Sequence, residues 1–99
     1  MSRRLMTGPE IREALETLPG WTVADGALTQ TLTFADFVGS IRFVNEAANI
    51  AEELDHHPDM DIRYNRVLLR LSTHDAGGLT GLDFELARRL SAVQQSEGV

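Results

Sequence analysis

The chain has 99 residues, no cysteine and a formal net charge of −6, with 42% hydrophobic and 24% charged residues. That length supports one domain with a single modest core, and the absence of cysteine excludes disulfides, thiolate catalysis and cysteine metal sites. The acidic balance argues against direct nucleic-acid binding, and no apolar run or leader pattern marks a membrane span or signal peptide, so a cytoplasmic protein is expected.

Thr7-Gly8-Pro9-Glu10 is a capping-box pattern with an early proline, and Ile11, Ala14, Leu15 and Leu18 follow at helical spacing up to a stop at Pro19-Gly20. Two strands, Trp21 to Ala24 and Ala27 to Leu32, flank Asp25-Gly26, a two-residue hairpin signal. Trp21, Val23, Leu28 and Leu32 are expected on one face. Thr33-Phe34-Ala35-Asp36 reads as a Thr-x-x-acid cap for a longer helix. Its predicted stripe is Phe37, Ile41, Val44, Ala48 and Ala51, with Val38 and Leu54 beside it, and it should end near Asp55, before Pro58.

Asp59 to Tyr64 alternates, with Met60, Ile62 and Tyr64 inward, and Val67, Leu69 and Leu71 alternate likewise. Asn65-Arg66 is the expected turn, which sets Asp61 across from Arg70. Thr80-Gly81-Leu82-Asp83 is a third capping pattern, followed by Leu82, Leu86, Leu90 and Val93 on one face, with Ala87 alongside. The tail from Gln94 to Val99 is expected to fray. The element order is α-β-β-α-β-β-α. This predicts an α+β fold, a four-stranded antiparallel sheet with three helices on one face. The order of strands within the sheet does not follow from the pattern.

All three histidines, His56, His57 and His74, fall near the open end of the second hairpin. If Tyr64 pairs with Val67, the ladder extended outward sets His57 opposite His74, where Cβ atoms lie about 4.5–5.5 Å apart. Close imidazoles favour one protonated and one neutral ring, and the ordinary histidine pKa lies near neutrality. Such a pair is an acid and a base for a dehydration, one protonating a leaving hydroxyl and the other taking a proton from an adjacent nitrogen. Taken singly, each residue also has a structural reading: Asp83 as a cap, Tyr64 as hairpin packing, Glu52 as an exposed helix charge, Trp21 as core. Adjacent His56 and His57 point in different directions and no His-x-x-x-His spacing occurs, so no metal site is expected.

Glu52, His56-His57-Pro58, Tyr64-Asn65-Arg66-Val67, Ser72-Thr73-His74 and Asp83, with Gly20-Trp21 and Thr33 to Phe37, resemble the pterin-4a-carbinolamine dehydratase family over roughly residues 7 to 94 of this single domain. The resemblance implies the same sheet-and-helix fold. It implies dehydration of a 4a-hydroxytetrahydropterin to quinonoid dihydropterin in tetrahydropterin recycling, with the pterin as substrate and no cofactor. By position it implies His56, His57, His74 and Asp83 as catalytic residues. Glu52, His57, Tyr64, Ser72 and Thr73 are implied as substrate-binding positions, and a homo-oligomer, dimer or tetramer, as the assembly. Met60 departs from the family, many of whose members carry an aromatic residue there. The alternative reading is a non-enzymatic dimerisation or assembly module on the same fold, since some relatives serve as assembly partners.

Overall fold

The local start and stop signals account for most of the element boundaries in the computed structural model, which describes residues 3–96. Thr7 caps α1 (Gly8–Leu15) through the predicted capping box. Its hydroxyl accepts the Glu10 N–H, and the Glu10 carboxylate accepts the Thr7 N–H at 2.8 Å. The Arg4 guanidinium, and after it the Thr7 N–H, lower the Glu10 carboxyl to about 2. Thr7→Ala is expected to lower stability by about 1 kcal/mol, read as a lower urea midpoint at unchanged slope. The helix ends before Pro19-Gly20. Thr17 and Leu18 each donate to the carbonyl three residues back, so the last turn tightens into 3-10 geometry, and Leu18 still reaches the core.

β1 (Thr22–Ala24) and β2 (Ala27–Thr33) pair antiparallel across Asp25-Gly26. Both turn residues have positive φ, 51° and 77°, as the two-residue hairpin requires. Trp21 lies just before β1, buried, and its Nε1 donates to Ser91 Oγ at 2.9 Å. Leu28 and Leu32 are buried with it, whereas Val23, on a three-residue strand at the sheet edge, is exposed.

β2 runs through Thr33, so the expected Thr33 cap does not form. Asp36 is the N-cap of α2 (Phe37–Leu54), accepting the Gly39 N–H at 2.8 Å. The buried face is Ser40, Phe43, Ala47 and Ala51. Of the predicted stripe only Ala51 is buried; Phe37, Val38 and Ala48 face outward and Ile41 and Val44 are half-buried. Phe43 marks the rotation: it is fully buried with its ring 5.4 Å from that of Phe34, whereas Phe37 of the predicted stripe stays exposed. The helix ends at Asp55, as expected before Pro58, and Asp55 closes it in the left-handed conformation at φ 49°.

β3 (Asp59–Arg63) and β4 (Arg66–Leu71) pair with Arg63 opposite Arg66, so the turn is Tyr64-Asn65 rather than Asn65-Arg66. The register therefore slips by two residues from the expected one while each side chain keeps its face. Asp61 sits across from Leu68, not Arg70, and pairs with Arg63 at 3.0 Å. The Arg70 guanidinium instead donates to the Ala24 and Asp25 carbonyls. Long-range bonds select this turn. Ser40 Oγ donates to the Tyr64 carbonyl at 2.8 Å, Asn65 Nδ2 to the Phe34 carbonyl at 3.0 Å, and the Phe34 N–H to the Asn65 carbonyl at 2.7 Å. Tyr64 accordingly takes the left-handed conformation at φ 51° and is exposed, not inward. Ile62 is exposed too, and Met60 packs against the core.

The sheet order is β1-β2-β4-β3. Three helices cover one face, and Leu28, Phe43, Val67, Leu69, Leu71, Phe84, Leu86 and Leu90 fill the space between. α3 (Gly81–Ser96) buries Leu82, Leu86, Ala87 and Leu90 as expected, and Phe84 besides. It continues past Gln94, where fraying was expected; residues 97–99 lie outside the described residues. No helix among the described residues is long and apolar enough to cross a membrane.

Candidate active site

The end of α2 turns His56 inward. With Asp55 left-handed, the His56 N–H closes back on the Ala51 carbonyl at 3.0 Å, and the imidazole enters the core, 6% exposed. There His56 Nε2 meets Asp83 Oδ1 at 2.7 Å. Asp83, in the first turn of α3, is fully buried. Its other oxygen accepts the Thr80 N–H at 2.9 Å and the Thr73 hydroxyl at 2.8 Å. A buried carboxylate requires such donors, because burial without them carries a large desolvation penalty. Asp83 thus has two structural tasks. It closes the start of α3 by accepting the Thr80 N–H, and it holds a histidine.

No buried side-chain nitrogen or oxygen among the described residues is without a partner. His56 has a hydrogen bond at Nε2 alone. Its Nδ1 is therefore the ring nitrogen left open to a further partner.

His57 turns the opposite way, onto the surface, and its Nε2 meets Glu52 Oε2 at 2.6 Å. The i to i+5 spacing spans the last turn of α2 and the left-handed cap, which brings the two side chains together. His74 opens a short 3-10 turn, His74–Ala76, closed by Gly77 at φ 81° and by the Thr73–Gly78 bridge. Its imidazole is exposed and takes no hydrogen bond among the described residues. It lines a cavity of about 260 Å³ together with Ser72, Arg70, Gly77, Gly78 and the Asp25-Gly26 turn.

The expected His57–His74 opposition does not form. The observed register, carried outward, would set Ser72 across from His57, and both chains have already left the sheet there. Tyr64 also lies apart. It sits at the closed end of the hairpin, with all of β3 between it and His57-Pro58, on the order of 17 Å at about 3.4 Å per residue. Thr73, expected to touch substrate, is 1% exposed with its hydroxyl turned to Asp83. The sequence reading missed Thr80 as a site residue; its capping pattern with Asp83 was the available signal. Among the described residues no three His, Asp or Glu side chains converge as a metal site.

Comparison with known proteins gives a consistent picture. The model of the family described as "Pterin 4 alpha carbinolamine dehydratase" matches residues 4–93. A protein of Nostoc punctiforme named "Putative pterin-4-alpha-carbinolamine dehydratase" is 47% identical over 92% of this chain and 98% of its own. One of the same name from Acidobacterium capsulatum is 49% identical over 89% and 96%. The crystal structure of a transcriptional coactivator/pterin dehydratase from Brucella melitensis is similar at a TM-score of 0.88 and 42% identity, covering 93% of this chain and 99% of that one. A pterin dehydratase-like protein identified as a RuBisCO assembly factor in the alpha-carboxysome shares the fold, at a TM-score of 0.62 and 19% identity over 75% of this chain and 86% of that one.

Proposed function

The chain belongs to the pterin 4 alpha carbinolamine dehydratase family, and on that premise we propose that it is a hydro-lyase that converts a 4a-hydroxytetrahydropterin to the quinonoid dihydropterin and water in tetrahydropterin recycling. The observation that carries this reading is the buried His56–Asp83 pair, linked through Thr73 to the turn that presents His74. Elimination requires a proton delivered to the leaving hydroxyl and another withdrawn from the adjacent ring nitrogen as the new double bond forms. His56 and His74 supply the acid and the base. A carboxylate behind one imidazole orients the ring and stabilises the imidazolium that forms when it takes a proton. His57, braced by Glu52, and Ser72 line the pterin cleft.

The test is a stopped-flow record of the ultraviolet decay of freshly generated 4a-hydroxytetrahydropterin with and without the purified protein. Acceleration that persists in the presence of a chelator is the expected result. A folded protein that gives only the spontaneous rate would overturn the reading and favour the alternative, a dimerisation or assembly module. Exposed Phe37, Val38, Ile62, Tyr64 and Leu68 offer apolar surface to a partner; in the enzyme reading they serve a homo-oligomer, and the protein works in the cytoplasm.

A further inference from the structure

With Asp83 ionised, proton counting sets the direction of each bond behind His56. Asp83 Oδ2 accepts the Thr80 N–H, which can only donate, and the Thr73 hydroxyl. Thr73 has one hydroxyl proton, and it goes to Asp83. Its 2.8 Å bond with the Thr80 hydroxyl must therefore be accepted from Thr80, whose oxygen in turn accepts the Leu82 N–H at 3.3 Å. The result is a one-way relay from the Leu82 N–H through the Thr80 and Thr73 hydroxyls to the carboxylate, with each bond polarising the next. With Asp83 ionised, a carboxylate taking two such donors on one oxygen accepts on the other, so a neutral His56 holds its proton on Nε2, toward Asp83, and presents a lone pair at Nδ1.

The main chain of Thr73 has a second task. Its carbonyl accepts from Ala76, Gly77 and Gly78, and its N–H donates to the Gly78 carbonyl at 2.9 Å. Those bonds build the turn that starts with His74. One residue thus holds the carboxylate behind one histidine with its hydroxyl and the backbone beneath another with its peptide groups.

We infer that Thr73 is a positioning residue: its hydroxyl orients Asp83 so that His56 accepts the substrate proton at Nδ1, while its main chain sets the place of His74. The assignment of His56 as base rests on the dehydratase reading; the orientation of the imidazole does not.

The experiment compares the full chain with Thr73→Val, which keeps the shape and removes the hydroxyl, and with Thr73→Ser, which restores it. Proton spectra record the imidazole N–H of His56, assigned by its loss in His56→Gln. A downfield, slowly exchanging resonance is expected in the parent and in Thr73→Ser, and a weakened, upfield-shifted one in Thr73→Val. In the dehydration assay kcat should fall about tenfold in Thr73→Val, part of the 100- to 10,000-fold that acid–base help supplies. KM should hold nearly constant, and Thr73→Ser should recover the rate. Thr80→Val, which removes the proton that orients Thr73 and the acceptor of the Leu82 N–H but leaves the Thr73 hydroxyl in place, should move both readouts the same way by less, and it decides the matter if Thr73→Val does not fold. An unchanged resonance and kcat in folded Thr73→Val would overturn the inference. So would losses that merely follow melting and that serine does not repair. If the parent shows no dehydratase activity, the resonance alone decides the orientation of His56.

Discussion

His74→Ala should lower dehydration turnover by about 100- to 10,000-fold and leave the melting temperature essentially unchanged. His74 contributes little to the fold. Its side chain is exposed and takes no hydrogen bond among the described residues, and the turn around it is built from the backbone of Thr73, Gly77 and Gly78. Surface substitutions away from caps, cores and networks usually change stability by less than about 0.5 kcal/mol. A large kinetic loss without a thermal one is therefore diagnostic of chemistry. The measurement is kcat from the stopped-flow assay beside a circular-dichroism melt. A retained rate would remove His74 from the mechanism; a fall in both would make it structural.

Asp83→Ala should act the other way, on the fold first. It strips three donors at once, His56 Nε2–H, the Thr73 hydroxyl and the Thr80 N–H, all in the core. Breaking a buried hydrogen-bonded pair typically costs about 3–5 kcal/mol, a large share of the roughly 5–15 kcal/mol that holds a domain together. The expected result is a urea midpoint shifted far down, with a partly unfolded protein at 37 °C. Asp83→Asn separates the two roles of the residue. Its amide oxygen can still accept from Thr73 and Thr80, but its NH2 faces His56 and can only donate. The imidazole must then turn its Nε2 lone pair inward and carry its proton on Nδ1. Asp83→Asn should hence recover most of the stability and little of the turnover. Full activity in that variant would sink the assignment of His56 as the proton acceptor.

Local signals carried the fold where the chemistry was local. Asp25-Gly26 fixed its turn because two consecutive positive φ values leave few residues to choose from. Thr7 with Glu10, and Thr80 with Asp83, marked helix starts because each completes a short hydrogen-bonded ring. What could not be read depended on partners distant in sequence. The β3–β4 turn is set by Ser40 and Phe34, 24 and 31 residues upstream of their partners, so Asn65 looked like the left-handed residue and Tyr64 is. The face of α2 is set by Phe43 against Phe34, which a stripe count on the helix alone cannot weigh. The site followed the same division. His56, His57, His74 and Asp83 were named as candidates from the sequence, but the pairing drawn between His57 and His74 relied on a register that the turn overruled. The partners that form, Asp83 with His56 and Glu52 with His57, join across helix ends.

The two rims of the sheet bear on how this protein behaves when crowded. β1 has only three residues, and β3 presents Asp59, Asp61 and Arg63 on one of its faces. A short rim offers little ladder to a stranger, and a charged one makes an incoming strand match its sign pattern or lose solvation. Both features oppose edge-to-edge growth of the sheets into fibrils. Any lateral joining along these rims therefore requires a strand of complementary charge.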